Sequence, residues 1–214
     1  AHLGIALDGD ADRVIVVDEK GEVVDGDAIM AICARDLLAQ KRLAKKTVVA
    51  TVMSNQGLEI ALAQMGAKLV RTKVGDRYVV EEMRRHGYNF GGEQSGHLIF
   101  LDNATTGDGV IAALELLAVM QKTGAVLSDL KRLFVPLPQT QVNLPIKQKR
   151  DLSELPGVGR AIKHAEAKLG RDGRILVRFS GTELKVRVLV EGPTRKTNDE
   201  LAHGIVAELK KALG

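Results

Sequence analysis

Short apolar runs alternate with amphipathic helical segments between residues 25 and 136, and this alternation constrains the fold more than any other feature. The run at 47–53 has the length and the β-branched content of a buried strand, and 68–74 is predicted to be a second strand. Helical periodicity is found at 28–43, 58–65, 77–85 and 109–122, with Asp27, Asp76 and Asp108 as expected N-caps and Gly66 as an expected C-cap. Strands that alternate with helices predict an α/β fold with a mostly parallel sheet.

Two further segments flank this region. Residues 1–24 have the pattern of a strand, an acidic loop, a second strand and a turn, and only the end of an earlier domain fits before Asp25. After Pro136-Leu137-Pro138 the pattern changes to strand, helix, two strands and a final helix, at 140–146, 159–169, 175–179, 185–190 and 198–213. We therefore expect a fragment: a remnant of a preceding α/β domain (1–24), a mixed α/β sheet domain (25–136) and a small α+β C-terminal domain (139–214).

The composition disfavours several kinds of partner. Aromatic residues make up 3% of the 214 residues and tryptophan is absent, so stacking platforms for nucleic acid bases are not expected. No apolar run approaches the roughly 20 residues that span a membrane. The single cysteine, Cys33, lies in an apolar helical stretch, which predicts a buried side chain in a reducing, cytoplasmic setting. We therefore expect no nucleic acid and no membrane partner.

An acidic loop, Asp8-Gly9-Asp10-Ala11-Asp12-Arg13, separates the first two apolar runs. Alternate side chains of an extended segment point to one side, so the three carboxylates converge and repel one another unless a cation neutralises them. Oxygen ligands favour Mg²⁺ over zinc. The loop therefore predicts a Mg²⁺ site made by Asp8, Asp10 and Asp12.

An EF-hand loop and a polar surface turn are the alternatives for this segment. In the EF-hand register the three aspartates are ligands one, three and five, and Glu19 is ligand twelve. However, Arg13 takes position six, where that loop needs glycine for its turn. The residues after Arg13 also have the pattern of a strand, which disfavours the EF-hand.

A second motif, Gly91-Gly92-Glu93-Gln94-Ser95-Gly96-His97, lies in an extended stretch. Glu93, Ser95 and His97 alternate and so share a face. Glu93 and Ser95 are suited to bind sugar hydroxyls, and His97 is suited to help with a proton or a phosphate. The alternative is a polar hairpin in which His97 has a structural hydrogen bond.

A third motif, Arg178-Phe179-Ser180-Gly181-Thr182-Glu183, joins two strands of the C-terminal segment. Arg178, Ser180 and Thr182 alternate, and with the Gly181 amide they could cradle a phosphate. Lys185 and Arg187 add positive charge on the next strand. The alternative is an ordinary β-turn that carries exposed polar residues.

Together and in this order, the three motifs resemble the α-D-phosphohexomutase superfamily, and the resemblance covers nearly the whole chain. That family has a metal loop in its second domain, a sugar-recognition loop in its third and a phosphate loop in its fourth, which match 8–13, 92–97 and 178–183. Residues 73–79 and 105–109 are similar to the phosphoglucosamine type, and Gln94 replaces a Met that is common in phosphomannomutase/phosphoglucomutases. One departure is Leu184, since the family usually has proline there.

The resemblance implies an isomerase that works through a phosphoserine. The serine would donate its phosphoryl group to glucosamine 6-phosphate, and the 1,6-bisphosphate would reorient and return its other phosphate, giving a precursor of cell-wall sugar nucleotides. The implied roles are catalysis for Arg13 and His97, Mg²⁺ binding for Asp8, Asp10 and Asp12, and substrate binding for Glu93, Ser95, Arg178, Ser180, Gly181, Thr182 and Arg187. The expected partners are the hexosamine phosphate and the bisphosphate, and formation of a homo-oligomer stays open.

The domain that carries the phosphoserine in this family has no counterpart in the sequence, so we expect the chain alone to be inactive. Three other functions stay open at this point. One is a mutase of the same superfamily that acts on mannose or glucose phosphates, and another is a truncated module that only binds sugar phosphates. The third is a phosphatase with Asp8 as nucleophile, which would need a further Lys and Asp that the sequence does not place.

Overall fold

The computed structural model describes residues 1–213. The chain divides into two compact units, Ala1–Pro136 and Leu137–Gly214. Each unit has a sheet and a hydrophobic core of its own. Residues 1–24, which the sequence suggested as a remnant of another domain, lie in the first unit together with 25–136.

The first unit begins with a small antiparallel sheet. Its strands are β1 (Leu3–Leu7), β2 (Val14–Asp18) and β3 (Val23–Val24), paired in that order. The acidic loop is therefore the connection between two paired strands, β1 and β2. Val14 and Val16 of β2 are fully buried in the core of the unit, which anchors the end of the loop.

A four-stranded sheet follows, in the order β5-β4-β6-β7. The strands are β4 (Thr47–Thr51), β5 (Lys68–Thr72), β6 (Phe90–Gly92) and β7 (Leu98–Phe100). β4 pairs in parallel with β5 and β6, while β7 is antiparallel to β6. The predicted α/β fold with a mostly parallel sheet is thus confirmed. The stretch expected to be extended at 89–100 is a hairpin, and the sugar-recognition motif forms its turn.

Five helices complete the first unit: α1 (Gly26–Ala39), α2 (Gln56–Gln64), α3 (Asp76–His86), α4 (Gly109–Thr123) and the short α5 (Leu127–Leu130). Successive residues of a strand point to opposite faces of its sheet. Val48 and Ala50 of β4 accordingly join the large core with α1, α2 and α4, whereas Val49 packs with Val79 and Met83 of α3. The four-stranded sheet is therefore covered on both faces.

Three predicted helix caps are wrong and one is confirmed. Asp25, not Asp27, caps α1, since its carboxylate accepts from the Ala28 amide at 3.0 Å. The side chain of Asp27 instead turns inward and accepts from the Asn55 amide at 2.8 Å. Asp76 is the first residue of α3 rather than its cap, which is Gly75, and Met65 rather than Gly66 is the C-cap of α2. Asp108 caps α4 as expected, with bonds from the amides of Val110 and Ile111.

The second unit is a three-stranded antiparallel sheet with two helices. Strand β10 (Lys185–Glu191) lies between β8 (Gln139–Pro145) and β9 (Arg174–Phe179), and α6 (Pro156–Leu169) and α7 (Arg195–Leu213) supply the rest of the core. Val186, Val188 and Val190 face that core. The alternate residues of β10, Lys185 and Arg187 among them, therefore lie on the other face of the sheet.

The described residues contain no single helix that combines the length and hydropathy of a membrane span. Only the pair Gly109–Thr123 and Leu127–Leu133, bent by 95°, meets those two criteria, on length and composition alone.

Candidate active site

The acidic loop brings its three aspartates together. One carboxylate oxygen from each of Asp8, Asp10 and Asp12 lies within 4.8 Å of the others. Ala11 has a φ of 58°, in the left-handed region, and its amide bonds to the Asp8 carbonyl at 3.1 Å. This tight turn folds the loop back on itself, so that carboxylates from alternating positions face a common centre.

Arg13 holds one edge of this cluster. Its backbone amide and its guanidinium donate to the two carboxylate oxygens of Asp8 at 3.1 and 3.0 Å, and Asp12 lies 3.5 Å from the same guanidinium. Desolvation raises the pKa of Asp8, but the hydrogen bonds from Arg13 outweigh it and leave that pKa below its ordinary value. The hydrogen bond to Asp8, followed by the charge of Asp12, raises the pKa of Arg13. Both charges are therefore maintained at neutral pH.

Two glycines hold the acidic loop in place from behind. The amide of Val14 donates to the Gly96 carbonyl at 3.1 Å, and the amide of Gly109 donates to the Ala11 carbonyl at 2.9 Å. Gly96 has a φ of +91°, and a Cβ there would overlap the Val14 carbonyl oxygen. A Cβ at Gly109 would lie 2.7 Å from the Arg13 carbonyl oxygen. The backbone contacts require glycine at both positions.

His97 lies behind the acidic loop and is buried, with 2% of its surface exposed. Its Nδ1 is 3.2 Å from a carboxylate oxygen of Asp12, and its Nε2 is 3.9 Å from one of Asp76. Gly107 lies against the ring, since a Cβ there would overlap Nε2. Neither ring nitrogen makes a hydrogen bond to another described residue, so the structure shows His97 in close contact with Asp12 but not bonded to it. His97 does not belong to the lining of the cavity described next.

A cavity of about 520 Å³ opens beside the hairpin turn. It is lined by Asp25, Thr51, Met53, Val74, Glu93, Gln94 and Ser95. Glu93 and Ser95, the residues predicted to bind sugar hydroxyls, are therefore in the same cavity. Gln94 lies between them in the same turn. Sequence reasoning missed the other four, because they lie at or just after the ends of β3, β4 and β5, far apart in the chain. The convergence of the parallel strands β4 and β5 at one edge of their sheet is the signal that could have indicated Thr51, Met53 and Val74.

The hairpin turn is fixed on both sides. The Glu93 carboxylate accepts from the Gly75 amide at 3.1 Å. On the other side, the amide of Gly26 donates to the Gln94 carbonyl at 3.1 Å, and a Cβ on Gly26 would overlap the Glu93 carbonyl oxygen. The Gln94 side chain donates to the Asp25 carboxylate at 3.2 Å. The start of α1 and the loop before α3 thus hold the turn in position.

A buried polar cluster supports the floor of the cavity, next to Met53. Arg71 donates to the Ser54 carbonyl at 2.6 Å, and Asp27 accepts from the Asn55 amide. Desolvation raises the pKa of Asp27 to about 7, and the charge of Asp25 adds to this effect while the bonds from Asn55 and Ser54 oppose it. Asp27 therefore titrates near neutral pH. Its role was missed because its place in the sequence is that of a helix cap.

The third motif lies in the second unit and is strongly basic. Arg178 and Arg187 are directly opposite each other on β9 and β10, so their side chains share a face. The Lys149 ammonium bonds to the Ser180 carbonyl at 2.6 Å. Glu183 lies 2.7 Å from Lys185 and 3.6 Å from Arg187, and its pKa is lowered mainly by the bond from Lys185. Two of these cations, Lys185 and Arg187, therefore pair with the single carboxylate of Glu183.

The members of the third motif differ in exposure. Gly181 and Thr182 are exposed, and Arg178 is half-buried. Ser180 is only 3% exposed, and its amide bonds to the Lys185 carbonyl at 2.8 Å, which extends the strand pairing by one residue. The turn therefore offers a ligand the arginines, Gly181 and Thr182 more readily than the Ser180 hydroxyl.

Family models match both units. Residues 25–136 match the model described as phosphoglucomutase/phosphomannomutase, alpha/beta/alpha domain III. Residues 141–208 match the phosphoglucomutase/phosphomannomutase C-terminal domain.

Among individual relatives, the chain is 67% identical to a phosphoglucosamine mutase of Anaeromyxobacter dehalogenans and 65% identical to one of Myxococcus xanthus. Both matches cover 100% of this chain, but only 47% and 46% of those proteins. The chain thus spans about half the length of these relatives.

Solved structures agree on the fold. The N-acetylphosphoglucosamine mutase of Aspergillus fumigatus, determined with GlcNAc-6P and magnesium, superposes with a TM-score of 0.77. The match has 24% sequence identity and covers 98% of this chain and 49% of the other.

Proposed function

Because the chain belongs to the phosphoglucomutase/phosphomannomutase family, we propose that it is the half of a phosphoglucosamine mutase that binds the sugar phosphate and the metal. The reaction of the whole enzyme would interconvert glucosamine 6-phosphate and glucosamine 1-phosphate through a phosphoserine and a 1,6-bisphosphate. Relatives bearing the name phosphoglucosamine mutase, 54–68% identical over essentially the entire chain, support this reaction.

One structural observation carries the proposal. The turn at 93–97 lines the cavity with Glu93 and Ser95, and through Gly96 it also fixes the end of the acidic loop. A sugar in the cavity would therefore lie beside the three carboxylates. The distance between the sugar and the acidic loop would be set by the backbone of residues 93–97. Phosphoryl transfer depends mainly on such positioning and on charge stabilisation.

The acidic loop has a donor set that fits Mg²⁺. Asp8, Asp10 and Asp12 offer three carboxylate oxygens within 4.8 Å, partly exposed to solvent, with Arg13 balancing one side. Mg²⁺ binds through a few carboxylates and keeps other positions for water or phosphate oxygens. When bound, the ion would neutralise charge on a phosphoryl group.

The chain's own residues have separate tasks in this proposal. Arg13 stabilises negative charge beside the aspartates, and His97 keeps Asp12 oriented from behind. Glu93 accepts hydrogen bonds from sugar hydroxyls, and Ser95 gives and accepts them. Because hydroxyls at adjacent ring positions are similar in both orientations of a bisphosphate, the same pair can serve both half-reactions.

The second unit would bind the phosphate group of the substrate that is not being transferred. A guanidinium can donate two hydrogen bonds to one phosphate, so Arg178 and Arg187 on adjacent strands suit a dianion. The exposed Gly181 and Thr182 add a backbone amide and a hydroxyl. Glu183 keeps the neighbouring cations in place without neutralising all of them.

A chimera tests the proposal. The first half of the Myxococcus xanthus relative would be joined to this chain, and formation of glucosamine 1-phosphate would be measured with Mg²⁺ and a bisphosphate activator. We expect glucosamine 6-phosphate to be the preferred substrate over glucose and mannose 6-phosphates. The matched control is the same chimera with Asp10→Asn, which should fold but turn over slowly. A folded chimera that prefers mannose or glucose phosphate, or converts none of them, refutes the assignment.

A further inference from the structure

We propose that Asp25 and Gln94 recognise the substituent at carbon 2 of the sugar, and that the cavity selects a protonated amine at that position over a hydroxyl. This inference rests on the proposed function, since it assumes that the cavity holds the sugar. It assigns a specificity role to two side chains that lie next to the hydroxyl-binding pair.

The charge of the cavity favours a cationic group. Its lining contains two carboxylates, Asp25 and Glu93, and neither Lys nor Arg. The charge of Glu93 contributes to the raised pKa of Arg13, but the Arg13 guanidinium is bonded to Asp8 and lies 3.5 Å from Asp12. Lys73, near the rim, is exposed, with its ammonium 6.0 Å from the Tyr78 ring. The negative charge of the lining therefore has no cation of its own within the cavity.

The hydrogen bonds of Gln94 orient its amide. Its nitrogen Nε2 donates to Oδ2 of Asp25 at 3.2 Å, so the carbonyl oxygen Oε1 is left as an acceptor. The other oxygen of Asp25, Oδ1, accepts from the Ala28 amide at the start of α1. Asp25 cannot withdraw from the turn, because Gly26 is in backbone contact with Glu93 and Gln94.

Three acceptors result, beside the one N–H of Gln94 that is not bonded to Asp25. Oδ2 of Asp25, Oε1 of Gln94 and the Glu93 carboxylate offer negative or partly negative oxygens at one side of the cavity. An ammonium group has three N–H donors and no acceptor, whereas a hydroxyl has one donor and also needs a donor for its own oxygen. Charge-assisted hydrogen bonds are about twice as strong as neutral ones. The arrangement thus discriminates between the two substituents both by hydrogen bonding and by charge.

The test compares ligands that differ only at carbon 2. Binding of glucosamine 6-phosphate, glucose 6-phosphate and N-acetylglucosamine 6-phosphate to the 214-residue chain would be measured by NMR titration. We expect the wild-type chain to bind glucosamine 6-phosphate about tenfold more tightly than glucose 6-phosphate. Asp25→Asn should reduce that ratio to about threefold or less, because one charge-assisted bond to the amino sugar becomes neutral. The affinity for glucosamine 6-phosphate should fall, while the affinity for glucose 6-phosphate should stay the same. Gln94→Met should lower the ratio in the same direction.

Asp25→Asn preserves the fold, since Asn is as good an N-cap as Asp. The matched control is Asp36→Asn, which removes a carboxylate from the same helix outside the cavity and should leave the ratio unchanged. A wild-type chain that binds the two sugars equally, or an Asp25→Asn ratio equal to that of wild type, overturns the inference while leaving the proposed function intact. Absence of binding by all three hexose phosphates overturns both.

Discussion

Replacement of the buried Asp27 by Asn should change how the stability of the first unit depends on pH. Asp27 is fully buried at the start of α1, behind the floor of the cavity. Its Oδ2 accepts from the Asn55 amide at 2.8 Å. Asn has the same shape and keeps an acceptor for that amide, but it cannot ionise. The substitution therefore isolates the cost of carrying a charge at this position.

The magnitude follows from the pKa of the carboxyl. Desolvation raises it from 3.8 to about 7 in the folded state. Between these values the unfolded chain has lost its proton while the folded chain keeps it, so stability falls as pH rises from about 4 to about 7. At about 1.4 kcal/mol per pKa unit, this shift corresponds to about 4 kcal/mol of unfolding free energy. Below about pH 4 the carboxyl does not reduce the unfolding free energy, and above about pH 7 the full reduction of about 4 kcal/mol applies.

Tyrosine fluorescence is a suitable probe for the measurement. The chain has no tryptophan and two tyrosines, Tyr78 and Tyr88, and both are in the first unit. Urea unfolding followed through tyrosine at several pH values between 4.5 and 7.5 therefore reports on that unit. We expect the stability of Asp27→Asn relative to wild type to increase steadily across this range. Any pH-independent cost of the new amide cancels in the comparison between pH values.

Asp18 provides a control because its pKa is shifted in the opposite direction from that of Asp27. The hydrogen bond from Lys131 lowers the pKa of Asp18, helped by the amides of Lys20 and Glu22 and opposed by desolvation. Its stabilising contribution is complete above the ordinary value of 3.8 and is lost as pH falls below it, so the stability difference between Asp18→Asn and wild type should stay nearly constant from pH 4.5 to 7.5. A difference between Asp27→Asn and wild type that stays constant from pH 4.5 to 7.5 would refute the assignment of a raised pKa to Asp27.

Four further predictions concern the loops and the whole chain. Gly96→Ala should destabilise the first unit by about 2–3 kcal/mol in urea unfolding, through its positive φ and the clash with Val14, whereas Gly9→Ala, which has open space around it, should be close to neutral. Calorimetry should show Mg²⁺ binding that is weaker than micromolar and is abolished by Asp10→Asn, because a phosphate ligand is missing; micromolar affinity would contradict this. In the chimera, Arg178→Ala should lower kcat/KM by about tenfold to 150-fold and Arg178→Lys should recover part of it; a change within about twofold would exclude the phosphate role at this strength. The 214-residue chain alone should show no mutase turnover in a coupled assay, and turnover comparable to that of a full-length relative would refute that expectation.

The sequence predicted the sheet and its motifs because both depend on local patterns. The strand at 47–53 needed only a run of apolar residues of the right length, and the strand at 68–74 was indicated by its place between two helical segments. The three aspartates of the acidic loop were predicted to converge because their alternation is local too, and the structure brings them together. Helix ends were less predictable. Both Asp25 and Asp27 are good caps, and the choice between them depends on the contact of Gly26 with the hairpin turn, which lies almost 70 residues further along the chain.

Burial was the other property that local patterns could not reveal. His97 alternates with Glu93 and Ser95, which predicted a shared face, yet its ring is buried against Gly107 and does not line the cavity. Ser180 likewise alternates with Arg178, but the strand pairing continues through its amide and buries it. In both cases the deciding contact comes from a residue outside the motif.

The double task of the turn at 93–97 limits how such a chain can diverge. An insertion or deletion there would alter the cavity and, through Gly96, would displace the acidic loop as well. Side-chain replacements at Gln94 and Ser95 leave the backbone contacts unchanged. New sugar preferences should therefore arise in evolution, or in directed selection, by point substitutions at these two positions, while the length of the turn stays constant.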